Sequence, residues 1–124
     1  MKRRYIALLG LVAAGMYVSS GTSWSYDAKT WTDDFSGYAY WTENGDSMQV
    51  CDDAADGYGV RGYIYTPNVS DPINGTVLFK GDDPSSNGTC ETYSKDINET
   101  GHIGIKVCNY SGATVIRCGY HLIR

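Results

Sequence analysis

The chain has 124 residues, formal net charge -4, 15 Gly, 11 Tyr and 4 Cys. That length excludes a multidomain enzyme, and the acidic balance excludes a nucleic-acid binder that sets Lys and Arg against phosphates. A hydrophobic share of 42% and an aromatic share of 13% exclude a disordered tail, because burial of such residues offsets the entropy of ordering.

The first segment reads as an export signal. Lys2, Arg3 and Arg4 precede an apolar run from Ile6 to Val18, and small polar residues follow at Ser19–Ser23. The run is too short for a bilayer span, which needs about 20 apolar residues, so a retained anchor is the weaker reading. Cleavage is expected between Ser20 and Tyr26, giving a signal peptide over 1–25 and one secreted domain over 26–124. The mature chain then carries 7 basic and 14 acidic side chains, a surface that favours solubility and repels anionic partners.

The rest of the chain predicts an all-β domain. Strands are expected over Gly37–Thr42, Ser47–Asp52, Gly59–Thr66, Thr76–Lys80, Cys90–Ser94, Ile103–Cys108 and Thr114–Leu122. Turn chemistry separates them: Asn44-Gly45, Asp56-Gly57, Asp71-Pro72, Asn74-Gly75, Asn87-Gly88 and Thr100-Gly101. About seven short strands at regular spacing predict a small antiparallel β-sandwich. Alternation assigns Met48, Val50, Val60, Gly62, Ile64, Val77, Phe79, Ile103, Ile105 and Val107 to the core side.

Cys51, Cys90, Cys108 and Cys118 are even in number in a small exported chain, which predicts two disulfides. Zinc ranks below this, because no CxxC pair exists and His102 and His121 stand at no usual ligand spacing. A hairpin turning near Gly112 and Ala113 sets Cys108 opposite Cys118, leaving Cys51 for Cys90. One conflict follows. Cys108 points away from Ile105 and Val107, yet Cys118 shares a face with Ile116. Either the outer face is covered or a bulge intervenes.

Asp52, Asp53 and Asp56 precede Gly57 and could wrap a hard cation such as calcium, but their spacing does not match a calcium loop and a capped turn is the favoured reading. Tyr38 and Tyr40 share one strand face, and Tyr63 and Tyr65 another. Exposed, they would stack on sugar rings or anchor a protein; ordinary cross-strand packing is the simpler account. His102 and His121 are the available bases near neutral pH, and no nucleophile elbow or free thiol accompanies them, so no catalysis and no cofactor are expected. Asn68, Asn74, Asn87, Asn98 and Asn109 each head an Asn-x-Ser/Thr triplet, readable as glycosylation acceptors or as turn residues.

The run from Asn44 to Ile64, with Gly45-Asp46, Val50-Cys51-Asp52 and Ala55-Asp56-Gly57, resembles uncharacterised small secreted proteins of actinobacteria. Cys90 and Val107-Cys108 also fit. The resemblance implies an exported, disulfide-linked β domain and supplies no activity and no site residues. The expected function is therefore a secreted, non-catalytic binding module for an extracellular protein or polysaccharide, without nucleic acid and without stable membrane insertion. The alternatives are an inhibitor of an extracellular hydrolase, presenting Asp71–Asn74 or Asp82–Thr89, and a carbohydrate-binding module using its tyrosines.

Overall fold

A computed structural model describes residues 27–124. The expected export signal lies outside the described residues. Eight strands form two four-stranded antiparallel sheets: β1 (Ala28–Trp31), β2 (Gly37–Thr42), β3 (Ser47–Asp52), β4 (Gly59–Pro67), β5 (Gly75–Asp83), β6 (Glu91–Ser94), β7 (Gly104–Ser111) and β8 (Thr114–Leu122). One sheet runs β1-β2-β3-β6 and the other β5-β4-β7-β8. The all-β sandwich with two disulfides holds, with one strand more than expected. Strand β1 was missed because only six residues, 26–31, separate the expected leader from a polar turn that contains no Gly.

Alternation builds the core. In β2, Ala39 and Trp41 point inward while Tyr38 and Tyr40 point out. Trp41, Met48, Val50, Val60, Ile64, Ile105 and Val107 are all fully buried between the sheets. Trp41 from one sheet meets Phe79 from the other at a ring separation of 6.2 Å. Gly62 marks a close approach of the sheets. A Cβ there would stand 2.9 Å from Met48 Sδ and 2.9 Å from Val50 Cγ2.

The expected core needs one correction. Val77 is 46% exposed. The β4–β5 register shifts between Ile64 and Tyr65, so Ile64 pairs with Phe79 but Tyr65 pairs with Val77. The extra residue, Leu78, packs against the core, and Val77 is turned to the outer side.

Both edges of the sandwich are closed. Edge strand β1 lies against β8, where a Cβ on Gly119 would meet the Trp31 carbonyl at 2.0 Å. At the other edge the Tyr93 hydroxyl donates to the Asp82 carbonyl and accepts from the Asp82 N–H. Arg61 Nε and Nη2 bond Asp82 Oδ1 and Oδ2 at 2.6 and 2.9 Å, and the guanidinium lies over Tyr110.

The disulfides are Cys51–Cys90 and Cys108–Cys118. Each joins neighbouring strands of one sheet. Extending the β3–β6 register beyond Val50↔Glu91 sets Cys51 opposite Cys90, with Cα atoms 4.5 Å apart. In the β7–β8 hairpin, Val107 pairs with Gly119 and Asn109 with Ile116, so Arg117 and Cys118 together face Cys108. This is the bulge that resolves the facing conflict. Arg117 takes a left-handed φ of 55° within it.

Candidate functional site

The β1–β2 turn carries the most unusual exposed side chain. Phe35 is 72% exposed and has a φ of 59°. A bulky residue in the left-handed region costs about 1–3 kcal/mol and persists only where its surroundings over-determine it.

Those surroundings are polar, and several are buried. Thr32 is 1% exposed, and its N–H donates to the Gly37 carbonyl at 2.9 Å. Its carbonyl accepts from the Phe35 N–H at 2.9 Å, and its Oγ1 accepts from the Ser36 N–H at 2.9 Å. Asp34 Oδ1 accepts from the Thr32 hydroxyl at 2.8 Å and the Ser36 hydroxyl at 2.7 Å. These bonds, Ser36 first, hold the Asp34 carboxyl below its ordinary pKa despite the opposing effect of burial. Ser36 Oγ in turn accepts from Asn109 Nδ2 at 2.8 Å.

The hairpin bulge in β8 completes the support. Arg117 Nε donates to Asn109 Oδ1 at 2.9 Å and lies 3.1 Å from Asp34 Oδ2. The Arg117 carbonyl accepts from the Asp33 N–H at 2.9 Å. The distortion that accommodates Cys118 therefore also aims Arg117 at the turn that displays Phe35.

Around Phe35 lies an aromatic corner. Its ring is 6.2 Å from Trp31, and Trp31 is 4.7 Å from Tyr38. Lys29 Nζ sits 4.9 Å from the Trp31 ring centroid and 4.1 Å from that of Tyr38. Beside them an open cleft of about 390 Å³ extends to Gly119, Tyr120 and His121.

The four tyrosines singled out in the sequence do not form one row. Tyr38 and Tyr40 face outward from the first sheet, and Tyr63 and Tyr65 from the second. Only Tyr38 joins the aromatic corner. Tyr40 reaches Asp27 Oδ2 at 3.4 Å. Tyr63 is half-buried beneath Lys106, whose Nζ is 5.1 Å from its ring. Tyr65 is 1% exposed, a correction to its reading as a surface residue. The Asp71–Asn74 loop folds back over it, and its hydroxyl donates to the Pro72 carbonyl at 2.6 Å.

The aspartates of the β3–β4 loop use turn chemistry. Asp52 is buried and its Oδ1 accepts from the Ala54 N–H at 3.2 Å; burial pushes its pKa up. Asp53 is exposed, and its N–H donates to the Ser36 carbonyl. Asp56 is exposed and accepts from the Tyr58 N–H at 3.0 Å. These three do not bring ligand atoms within 4.8 Å of one another. His102 and His121 are both exposed and belong to different clefts. Among the Asn-x-Ser/Thr positions, Asn68, Asn74, Asn87 and Asn98 are exposed, whereas Asn109 is fully buried and is no surface acceptor.

Sequence reasoning missed Phe35, Trp31 and Lys29. One signal was present: an aromatic residue inside the polar turn Thr32-Asp33-Asp34-Phe35-Ser36, where turn chemistry supplies no reason for it. No protein-family model matches the chain, and no curated protein or solved structure matches it.

Proposed function

We propose that the protein is a non-catalytic, extracellular binding module that docks on a protein partner through Phe35 and the adjoining Trp31 and Tyr38. The display of Phe35 carries this reading: an apolar ring 72% exposed, on a backbone held in the left-handed region by buried hydrogen bonds. Aromatic anchors dominate protein interfaces, and a rigid anchor loses little entropy on docking. A polysaccharide is the weaker partner, because Lys29 already covers the Trp31 and Tyr38 ring faces that a sugar would stack on. The two disulfides suit an oxidising compartment, and the basic residues before Ile6–Val18 suit export.

The test is photo-crosslinking in native culture fluid, with a photoreactive phenylalanine analogue at position 35. The expected result is one protein adduct of discrete mass, whose complex with the unlabelled protein is lost on Phe35→Ala. Retention on insoluble polysaccharide that survives Phe35→Ala and disappears with Tyr38→Ala and Tyr40→Ala would reject it.

A further inference from the structure

A second cluster lies away from the aromatic corner. Glu43 and Asp46 stand in the β2–β3 turn, and Glu99 in the loop before β7. One carboxylate oxygen from each lies within 4.8 Å of the other two. Asp46 is only 6% exposed. Its Oδ2 accepts from the Ile97 N–H at 3.0 Å, while its buried Oδ1 has no hydrogen-bond partner among the described residues. A buried carboxylate oxygen left in this state is costly unless a proton or a cation serves it.

The charges around it do not balance. Glu43 Oε1 accepts from Trp41 Nε1 at 2.9 Å, and Glu43 Oε2 lies 3.4 Å from Arg124 Nη2. Arg124 also donates to the Gly101 and Asn98 carbonyls, each at 3.2 Å. Lys95 turns its Nζ away to the Leu78 carbonyl. Three carboxylates thus share one guanidinium. The Asp46 carboxylate beside Glu99 holds the Glu99 carboxyl above its usual range.

We propose that Glu43, Asp46 and Glu99 bind calcium, which ties the β2–β3 turn to the loop between β6 and β7. Two oxygens on one calcium, each at roughly 2.3–2.6 Å, can stand no farther apart than about 5 Å, a limit this cluster meets. Magnesium dehydrates reluctantly and demands a near-ideal octahedron, so the more flexible coordination of calcium suits three side chains on two loops better. The all-oxygen donor set disfavours zinc. Bound calcium supplies the unpartnered Asp46 Oδ1 and fixes Glu99, and with it the loop that walls a cleft of about 320 Å³ against Leu78 and Ile103.

Terbium is the probe, on the disulfide-bonded protein in chelator-treated buffer. The Trp41 indole bonded to Glu43 should sensitise terbium emission. Calcium should quench that emission by displacement at millimolar concentration or below, and equal magnesium should not. Calcium should also raise Tm by a few degrees, since it binds only the folded state. Glu99 is exposed and repelled by Asp46, so Glu99→Gln should fold with a metal-free Tm no lower than the parent's and lose at least about tenfold in calcium affinity. Asp52→Asn with Asp56→Asn should bind calcium as the parent does. Absence of both sensitised emission and a calcium-dependent Tm would overturn the proposal, leaving the carboxylates to share a proton. So would binding that survives Glu99→Gln, or binding lost in the Asp52 and Asp56 variant.

Discussion

Asn109 and Ser36 are 73 residues apart and meet in a buried hydrogen bond, Nδ2 to Oγ at 2.8 Å, that joins the two sheets. Asn109 lies in β7 and Ser36 at the end of the β1–β2 turn. The same Asn109 side chain accepts from Arg117, so one fully buried amide ties turn, core and hairpin together. Asn109→Ala leaves Ser36 Oγ without that donor and Arg117 Nε without that acceptor. A loss of about 1–3 kcal/mol is expected, measured by denaturant unfolding, with faster hydrogen exchange at the Ser36 and Gly37 amides.

Phe35 offers a test of strain against function. Phe35→Gly removes a side chain that is already 72% exposed and relieves the left-handed backbone. Stability should rise by about 0.5–1 kcal/mol, while docking through this corner is lost. A loss of stability on thermal unfolding would mean that the ring packing on Trp31 outweighs the backbone strain.

The disulfides should differ in weight. Cys51–Cys90 spans 39 residues and Cys108–Cys118 spans 10. On loop entropy alone, replacing the first pair by Ser costs about 1 kcal/mol more than replacing the second. The first also anchors β6, an edge strand of four residues. Paired thermal unfolding of the two double variants gives the order.

Gly62→Ala inserts a methyl between Met48, Val50 and Ala39 at a close approach of the sheets. Overpacking there should cost about 1–3 kcal/mol in denaturant unfolding.

Tyr65 should titrate late. Burial raises its pKa from 10.0 to about 12. The neutral form is favoured in the folded state, so the stabilisation is fully present below pH 10 and is lost as pH rises through about 12. An absorbance titration of the tyrosines should show a late step that is absent in Tyr65→Phe.

Much of the fold was legible because alternation and turn residues act locally. Val60, Gly62 and Ile64 share the inner face as their spacing requires, and the two-residue Gly112-Ala113 turn sets the last hairpin. The bulges were less legible. Nothing in Thr76–Lys80 signals that Leu78 is the inserted residue, and the β8 bulge was visible only as a conflict between Cys118 and Ile116. The site was largely illegible. Phe35 depends on Asn109 and Arg117, far along the chain, and Glu99 meets Asp46 only through the β3–β6 pairing and the Ile97 N–H bond.

Each disulfide joins strands of one sheet, so no disulfide crosses the interface between the sheets; only the β3–β4, β5–β6 and β6–β7 connections of the chain do. The sandwich can open like a book with both disulfides intact. Its opening rate is then governed by the apolar interface around Trp41 and Ile64, and by the Asn109–Ser36 link. A protease active in an oxidising medium would then meet an opened chain still cross-linked at two places, with β4 and β5 inside the ring that Cys51–Cys90 closes.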